Sequence, residues 1–399
     1  MLVAMKKLFQ KGYLAGWASI GLLILLCGPW VMPSNKLYHQ LIIFFLWLPA
    51  LLALFGGYVR PLIKLPEIFF FLAFSIWTLF IFGVEGSDEP GKSKVVLYVT
   101  LTLLGVLLAA QHGRWRLESL LMCASVIGGF FATVSVVYFY IEPQSTGGRI
   151  VAVGLWDTII MAAHAVGALA ILGLFTLRSW RFSRPVFLLL LIPAAGYVIF
   201  LGLSQTRGVW IAFLAAMIVM VIARPSRLGV SLIVLMVISV AGVALFYPEL
   251  LLQRGVSYRP GLWSGGVQLI EQHWATGVGF HEYLITVPVA GSFKHPHNLF
   301  LDTGVRLGLP GLLIFCCLWV TVGWRGWVSR AEPLGGALLA LWFFSSVSLM
   351  TDGIGLWLKP NADWLITWLP VCLSIVLASR AASAETHEPH PVKPARPIL

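Results

Sequence analysis

Charge is what this sequence has least of. Only 11% of its 399 residues are Asp, Glu, Lys or Arg, against 59% hydrophobic. Soluble domains are about a quarter charged and do not repeat apolar runs of about 20 residues, whereas a bilayer core demands such runs as helices. A water-soluble globular fold is therefore excluded. Cysteine is also sparse. Cys27, Cys123, Cys316, Cys317 and Cys372 all fall inside apolar runs, where a thiol packs as a small hydrophobe, and no C-x-x-C spacing offers a disulfide framework or a metal site. No G-x-x-x-x-G-K-[S/T] run is present to cradle a nucleotide phosphate. A cleavable signal pattern is missing too, because the first apolar run is long and more of the same follows it. What remains is an all-α polytopic membrane protein with an uncleaved first span and no internal repeat.

Twelve spans are expected, at 14–32, 38–57, 66–84, 94–111, 117–141, 158–177, 185–203, 208–223, 228–246, 298–323, 334–350 and 364–380. An even count puts both termini on one side, and the loops of that side hold most of the 27 basic residues, among them Lys6, Arg60, Arg114, Arg181, Arg224 and Arg330. By the positive-inside rule the termini are cytoplasmic. The net charge of +11 is then topology and not a nucleic-acid footprint. The chain divides into nine spans over 1–246, one large outward loop with amphipathic helices over 247–297, three spans over 298–380, and a cytoplasmic tail over 381–399. That tail, with Pro389, Pro391, Pro394 and Pro397, is too polar to bury a core and is expected to be disordered.

The stretch from Tyr247 to about Gly311, the long loop and the start of the next span, gathers the ionisable groups, including Arg254, Arg259, Glu271, Glu282, Lys294, His295, His297 and Asp302. Pro260 suits the first turn of a helix, and Trp263, Val267, Ile270 and Trp274 recur at helical spacing as an apolar stripe. Arg259 would stand at that helix start, where unpaired N–H groups and the helix dipole favour an anion. The G-V-G-F run at Gly277 to Phe280 ends the helix, and a second helical piece is expected from about Pro296. Arg207, in the short outward turn between spans seven and eight, suits either a lipid-headgroup anchor or a phosphate ligand. Arg149 and Lys294 are further candidates for a cationic basin around a diphosphate. His297, beside Asn298 at a helix start outside the hydrocarbon, suits a general base, since imidazoles titrate near neutral pH. On spacing alone His295 and His297 fit a metal pair or an ordinary polar helix start equally well, and too few further ligands stand near for a metal. Asp302 either helps to orient the site or pairs with Arg306 at i, i+4.

His297 and Asn298, nine residues, then Gly308 and Gly311 fit the H-[N/S/Q]-x9-G-x-x-[G/T/Y] pattern, and the chain here resembles bacterial O-antigen ligases. T-R-G-V-W at Thr206 to Trp210 and R-P-G-L-W at Arg259 to Trp263, followed by a G-x-G turn, are similar to that family as well. The motifs span roughly 200–320, while the first 150 residues match in topology only. The resemblance implies a membrane glycosyltransferase of the GT-C type with a periplasmic loop. Such a ligase moves O-polysaccharide from undecaprenyl diphosphate to a sugar of the lipid A-core oligosaccharide, at the periplasmic face of the bacterial inner membrane. Its partners would be the lipid-linked O-antigen, the lipid A-core acceptor and membrane lipids, with no nucleic acid, no metal and no cofactor. Carried over to this chain, His297 takes the catalytic position and Arg207 and Arg259 hold the donor diphosphate, with Arg149 and Lys294 beside them and His295, Asn298 and Asp302 in support. The expected chemistry is single displacement with inversion.

Two other readings compete inside the family, an O-antigen polymerase and a ligase that glycosylates periplasmic proteins. A polymerase more often divides its chemistry between two loops, whereas one loop dominates here; protein-directed members are usually longer. A twelve-span secondary transporter is the alternative from another class. It calls for ionisable groups near the bilayer midplane and a repeat between halves, while here such groups cluster at span ends apart from His164.

Overall fold

A computed structural model describes residues 10–56, 64–142, 148–177, 183–246, 258–288, 290–353 and 355–385. The expected loop start at 247–257, with Arg254, and the tail from 386 onward lie outside the described residues. The described chain is helical almost throughout. In order it forms α1 (Lys11–Val31), α2 (Asn35–Phe55), α3 (Pro66–Val84), α4 (Lys94–His112), α5 (Leu117–Ile141), α6 (Ile159–Thr176), α7 (Arg184–Ser204), α8 (Arg207–Ala223) and α9 (Arg227–Phe246). There follow α10 (Arg259–Gln272), strands β1 (Ile285–Val287) and β2 (Gly291–Phe293), α11 (Leu299–Val328), α12 (Pro333–Thr351), a 3-10 turn (Ala362–Leu365) and α13 (Trp368–Glu385).

Ten of these stretches are long and apolar enough to cross a bilayer, and the protein is a polytopic membrane protein. The eighth and ninth expected spans correspond to shorter apolar helices, Arg207–Ala223 and Gly229–Ser239 within α9. Burial sorts the bundle into an inside and a rim. α6 is buried along nearly its whole length and α13 over most of it, whereas α7 turns Phe187, Leu188, Leu189 and Ile192 outward. An apolar side chain exposed at this depth meets lipid, so exposure carries no penalty there.

Several polar groups that enter the bundle are partnered across helices or along them. Trp47 Nε1 donates to Thr102 Oγ1 at 2.8 Å and Tyr38 Oη to the Leu25 carbonyl at 3.0 Å. At the end of the bundle away from His297, Glu67 of α3 is fully buried; it accepts from Arg325 of α11 at 2.8 Å and from Ser374 of α13 at 3.3 Å. One carboxylate, through two hydrogen bonds, thus ties three helices together.

Candidate active site

The segment between α9 and α11 folds over its own small core. Leu262 and Ile270 of α10 pack with Tyr283, Ile285, Val287 and Val305. The buried face of α10 is Leu262, Gly266 and Ile270, while Val267 and Trp274 of the expected stripe are exposed. The physical reason is close approach: Gly261 and Gly265 let β1 lie directly on the helix, with Val287 and Ile285 occupying the space a side chain would need. β1 and β2 pair antiparallel, Thr286 opposite Ser292, in place of helix. Helix resumes only at Leu299, where the Asn298 side chain accepts from the N–H groups of Phe300 and Leu301 at 3.0 and 3.2 Å.

Gly308 breaks α11 one third of the way along, with φ 66° and ψ −177°. This backbone region is almost closed to other residues, and a Cβ here would stand 2.6 Å from the Ala275 carbonyl. The carbonyls released by the break all find donors. Val305 O accepts from Val278 N at 2.8 Å, Arg306 O from Gly279 N at 3.1 Å and Leu307 O from Trp77 Nε1 at 2.9 Å, while Leu309 N donates to Trp274 O at 2.7 Å. The G-V-G-F turn is therefore the complement of the break, and the two together fix how the loop sits on α11.

His297 stands at the mouth of this arrangement, in the left-handed region at φ 51°. Its Nδ1 lies 2.8 Å from Oδ1 of Asp352, the residue just past α12. Burial pushes the Asp352 carboxyl up, but the His297 hydrogen bond and the nearby His164, His297 and Arg259 outweigh it and hold the pKa below the ordinary value. An ionised carboxylate only accepts, so Nδ1 carries a proton, and the neutral tautomer that fits this contact is the one whose Nε2 has the lone pair. The same corner receives two arginine-bearing elements. Arg259 Nε donates to the Thr351 carbonyl at 2.6 Å, and Gly208, next to Arg207, approaches Thr351 so closely that a Cβ would meet its hydroxyl. Arg149 Nε donates to Ser204 O at 2.9 Å and Nη2 to Thr206 Oγ1 at 3.3 Å, which ties it to the turn that presents Arg207.

The remaining candidates sit otherwise. Lys294 pairs with Glu282 at 2.9 Å, both side chains largely exposed. Asp302 is buried, accepts from Tyr283 Oη at 2.6 Å, and pairs with Arg306 at 3.2 Å as the i, i+4 spacing predicts. The ring of His295 packs 4.1 Å from that of His297; burial first, then the charge of His297, lowers its pKa. Asp352 is the candidate site residue that the sequence reading missed. Its signal was faint: a lone acid followed by glycine, closing a span on the side of the loop. The segment from Glu85 was also underread, since Phe280 N donates to Gly86 O and His281 bridges Asp88 and the Glu85 carbonyl. Among the described residues no three His, Cys, Asp or Glu side chains gather as a metal centre would require.

Residues 192–316 match the family model described as O-Antigen ligase. Over 370 residues, covering 90% of each chain, the protein is 26% identical to a Pseudomonas aeruginosa protein named O-antigen ligase. The matched region includes both arginine motifs, His297 and the Gly308 break. These matches bear out the family resemblance read from the motifs, and with it a membrane enzyme of the glycosyltransferase type.

Proposed function

We propose that this protein transfers O-polysaccharide from undecaprenyl diphosphate to a hydroxyl of a lipid A-core sugar, at the periplasmic face of the inner membrane with both termini cytoplasmic. The observation that carries the reading is the convergence on Thr351 and Asp352 of His297, Arg259 and the start of α8. A proton acceptor, one arginine and the backbone beside a second arginine, from three separate elements, meet at one helix end.

In the reaction, Nε2 of His297 takes the proton of the acceptor hydroxyl as its oxygen attacks the anomeric carbon. The bond from that carbon to the diphosphate oxygen breaks, and the electron pair leaves with undecaprenyl diphosphate. Arg207 and Arg259, with Arg149 beside them, stabilise the charge that grows on the leaving group more than they stabilise the ground state. Asp352 holds the imidazole in the productive tautomer and stabilises the imidazolium that forms. Attack opposite the leaving group gives inversion. Lys294 is proposed at the rim of the donor site, where leaving Glu282 for a phosphate is cheap because exposed pairs contribute little. Asn298 and Asp302 support the site by capping and anchoring α11, and His295 by packing on His297. No metal or cofactor enters any step.

The test uses purified protein with undecaprenyl-diphosphate-linked O-antigen and rough lipopolysaccharide. Transfer to the rough acceptor, reduced at least about 100-fold in a folded His297→Ala variant, is expected. Lengthening of the donor without transfer would make the protein a polymerase, and full activity in the variant would remove His297 as the base.

A further inference from the structure

The end of the bundle away from His297 holds a second recess. α6 and α8 finish there beside the turn between α11 and α12. Between them lies a cavity of about 170 Å3 lined by Phe175, Met220, Arg224, Arg330, Glu332 and Gly336, among others. A narrower cleft of about 30 Å3 adjoins it between α6, α8 and α9, sharing Phe175, Met220 and Arg224 and adding Leu174, Met217 and Leu232.

The recess is polar at one end and apolar at the other. Arg224 Nη1 donates to the Ala331 carbonyl at 2.7 Å. Arg330 Nη1 donates to the Trp327 carbonyl at 2.8 Å, and its guanidinium stands 4.5 Å from the centre of the Trp327 ring. Each arginine is thus held by one backbone acceptor, and neither pairs with a carboxylate among the described residues, although Glu332 lines the same cavity. Their other N–H groups are left for a ligand. Beneath them, methionine side chains provide an adaptable apolar lining.

We propose that this recess is a specific site for an anionic phospholipid. Arg224 and Arg330 hold the phosphate diester, and an acyl chain lies over Phe175, Met217 and Met220. The apolar end belongs to α6, long and apolar enough to span a bilayer, and to the shorter apolar helix α8, and the charged end lies where those helices stop. A guanidinium fork matches phosphoryl oxygens bidentately, while the amine of a zwitterionic headgroup would meet two like charges.

Native mass spectrometry of the full-length protein, titrated with phosphatidylglycerol, phosphatidylethanolamine of the same chains, or inorganic phosphate, tests this. One phosphatidylglycerol is expected to bind roughly tenfold or more tighter than phosphatidylethanolamine, given two basic groups at the site. Inorganic phosphate should not displace it. The preference should vanish in Arg224→Gln/Arg330→Gln. In Met220→Trp, which fills the cleft and keeps both arginines, binding of the anionic lipid should weaken. Unchanged glycan transfer would confirm that these variants fold. Equal binding of the two lipids, a preference that survives in both variants, or displacement by inorganic phosphate would each overturn the proposal, the last in favour of a free-phosphate site.

Discussion

At the scale of single residues, the Asp352 carboxylate and the Gly308 backbone make distinct demands. An amide in place of Asp352 can donate to Nδ1 of His297 and so favour the tautomer whose Nε2 carries the proton. Asp352→Asn is therefore expected to keep the fold and the donor affinity but lower the transfer rate by about 10²–10⁴-fold. Its rate–pH profile should also differ from that of the parent, which a purely structural role would leave alone. Steady-state kinetics with unchanged KM for the lipid-linked donor would support this, and a loss confined to KM would contradict it. Gly308→Ala places a Cβ against the Ala275 carbonyl in a backbone region that other residues avoid. A cost of roughly 1–3 kcal/mol is expected, read as a lower unfolding temperature in detergent. The spacing of His297, Asn298, Gly308 and Gly311 was legible in the sequence. The reason for it was not, because the carbonyls freed at Gly308 are satisfied by Val278 and Gly279, some 27 residues away in the chain, and by the still more distant Trp77.

At the scale of elements, the connection after α3 is clipped to the loop by one histidine. His281 Nδ1 lies 2.6 Å from Asp88 and Nε2 lies 2.7 Å from the Glu85 carbonyl. Both partners accept, so both ring nitrogens must carry protons and the imidazolium is the fitting form. The Asp88 hydrogen bond, then the Glu85 carbonyl, raises the pKa of His281 above its ordinary 6.5. The Glu282 N–H, then His281, lowers that of Asp88 below its ordinary 3.8. The raised base contributes fully below pH 6.5 and is lost as pH climbs through its folded value. The lowered acid contributes fully above pH 3.8 and is lost as pH falls through its folded value. The clip is thus complete between the two ordinary values and loosens in alkali. Around it stand Lys92, paired with Glu89, Lys294, paired with Glu282, and Arg306, whose Nη1 reaches the His281 carbonyl at 3.4 Å. Hydrogen exchange at residues 86–88 and 280–282 should accelerate, beyond the intrinsic pH dependence, as pH rises through the His281 transition. In His281→Gln that extra step should be absent; if it persists, another group holds the clip. The apolar stripe on α10 gives the complementary lesson. Spacing revealed a helix, but which side faces inward depended on Gly261 and Gly265 meeting a hairpin that the sequence pattern did not announce.

At the scale of the whole molecule, the Glu67, Arg325 and Ser374 contact joins α3, α11 and α13 in a buried setting. Arg325→Ala would leave a fully buried carboxylate without its cation, at a cost of about 3–5 kcal/mol. Replacing both, as Glu67→Gln with Arg325→Met, should recover most of it, since a buried pair stabilises little against a neutral substitute. Thermal unfolding in detergent decides, and equal destabilisation by the single and double changes would show that packing matters there more than charge.

The sequence by itself determined the membrane class, the approximate spans and the family resemblance. Apolar run length and residue spacing are properties of the chain read in one dimension, and the bilayer enforces them locally. Only the tertiary structure decided what stands beside His297. Asp352 lies 55 residues from it, and Arg259 reaches Thr351 across 92. Which side chains meet across such separations depends on how helices pack and where α11 breaks, and no local pattern carries that information.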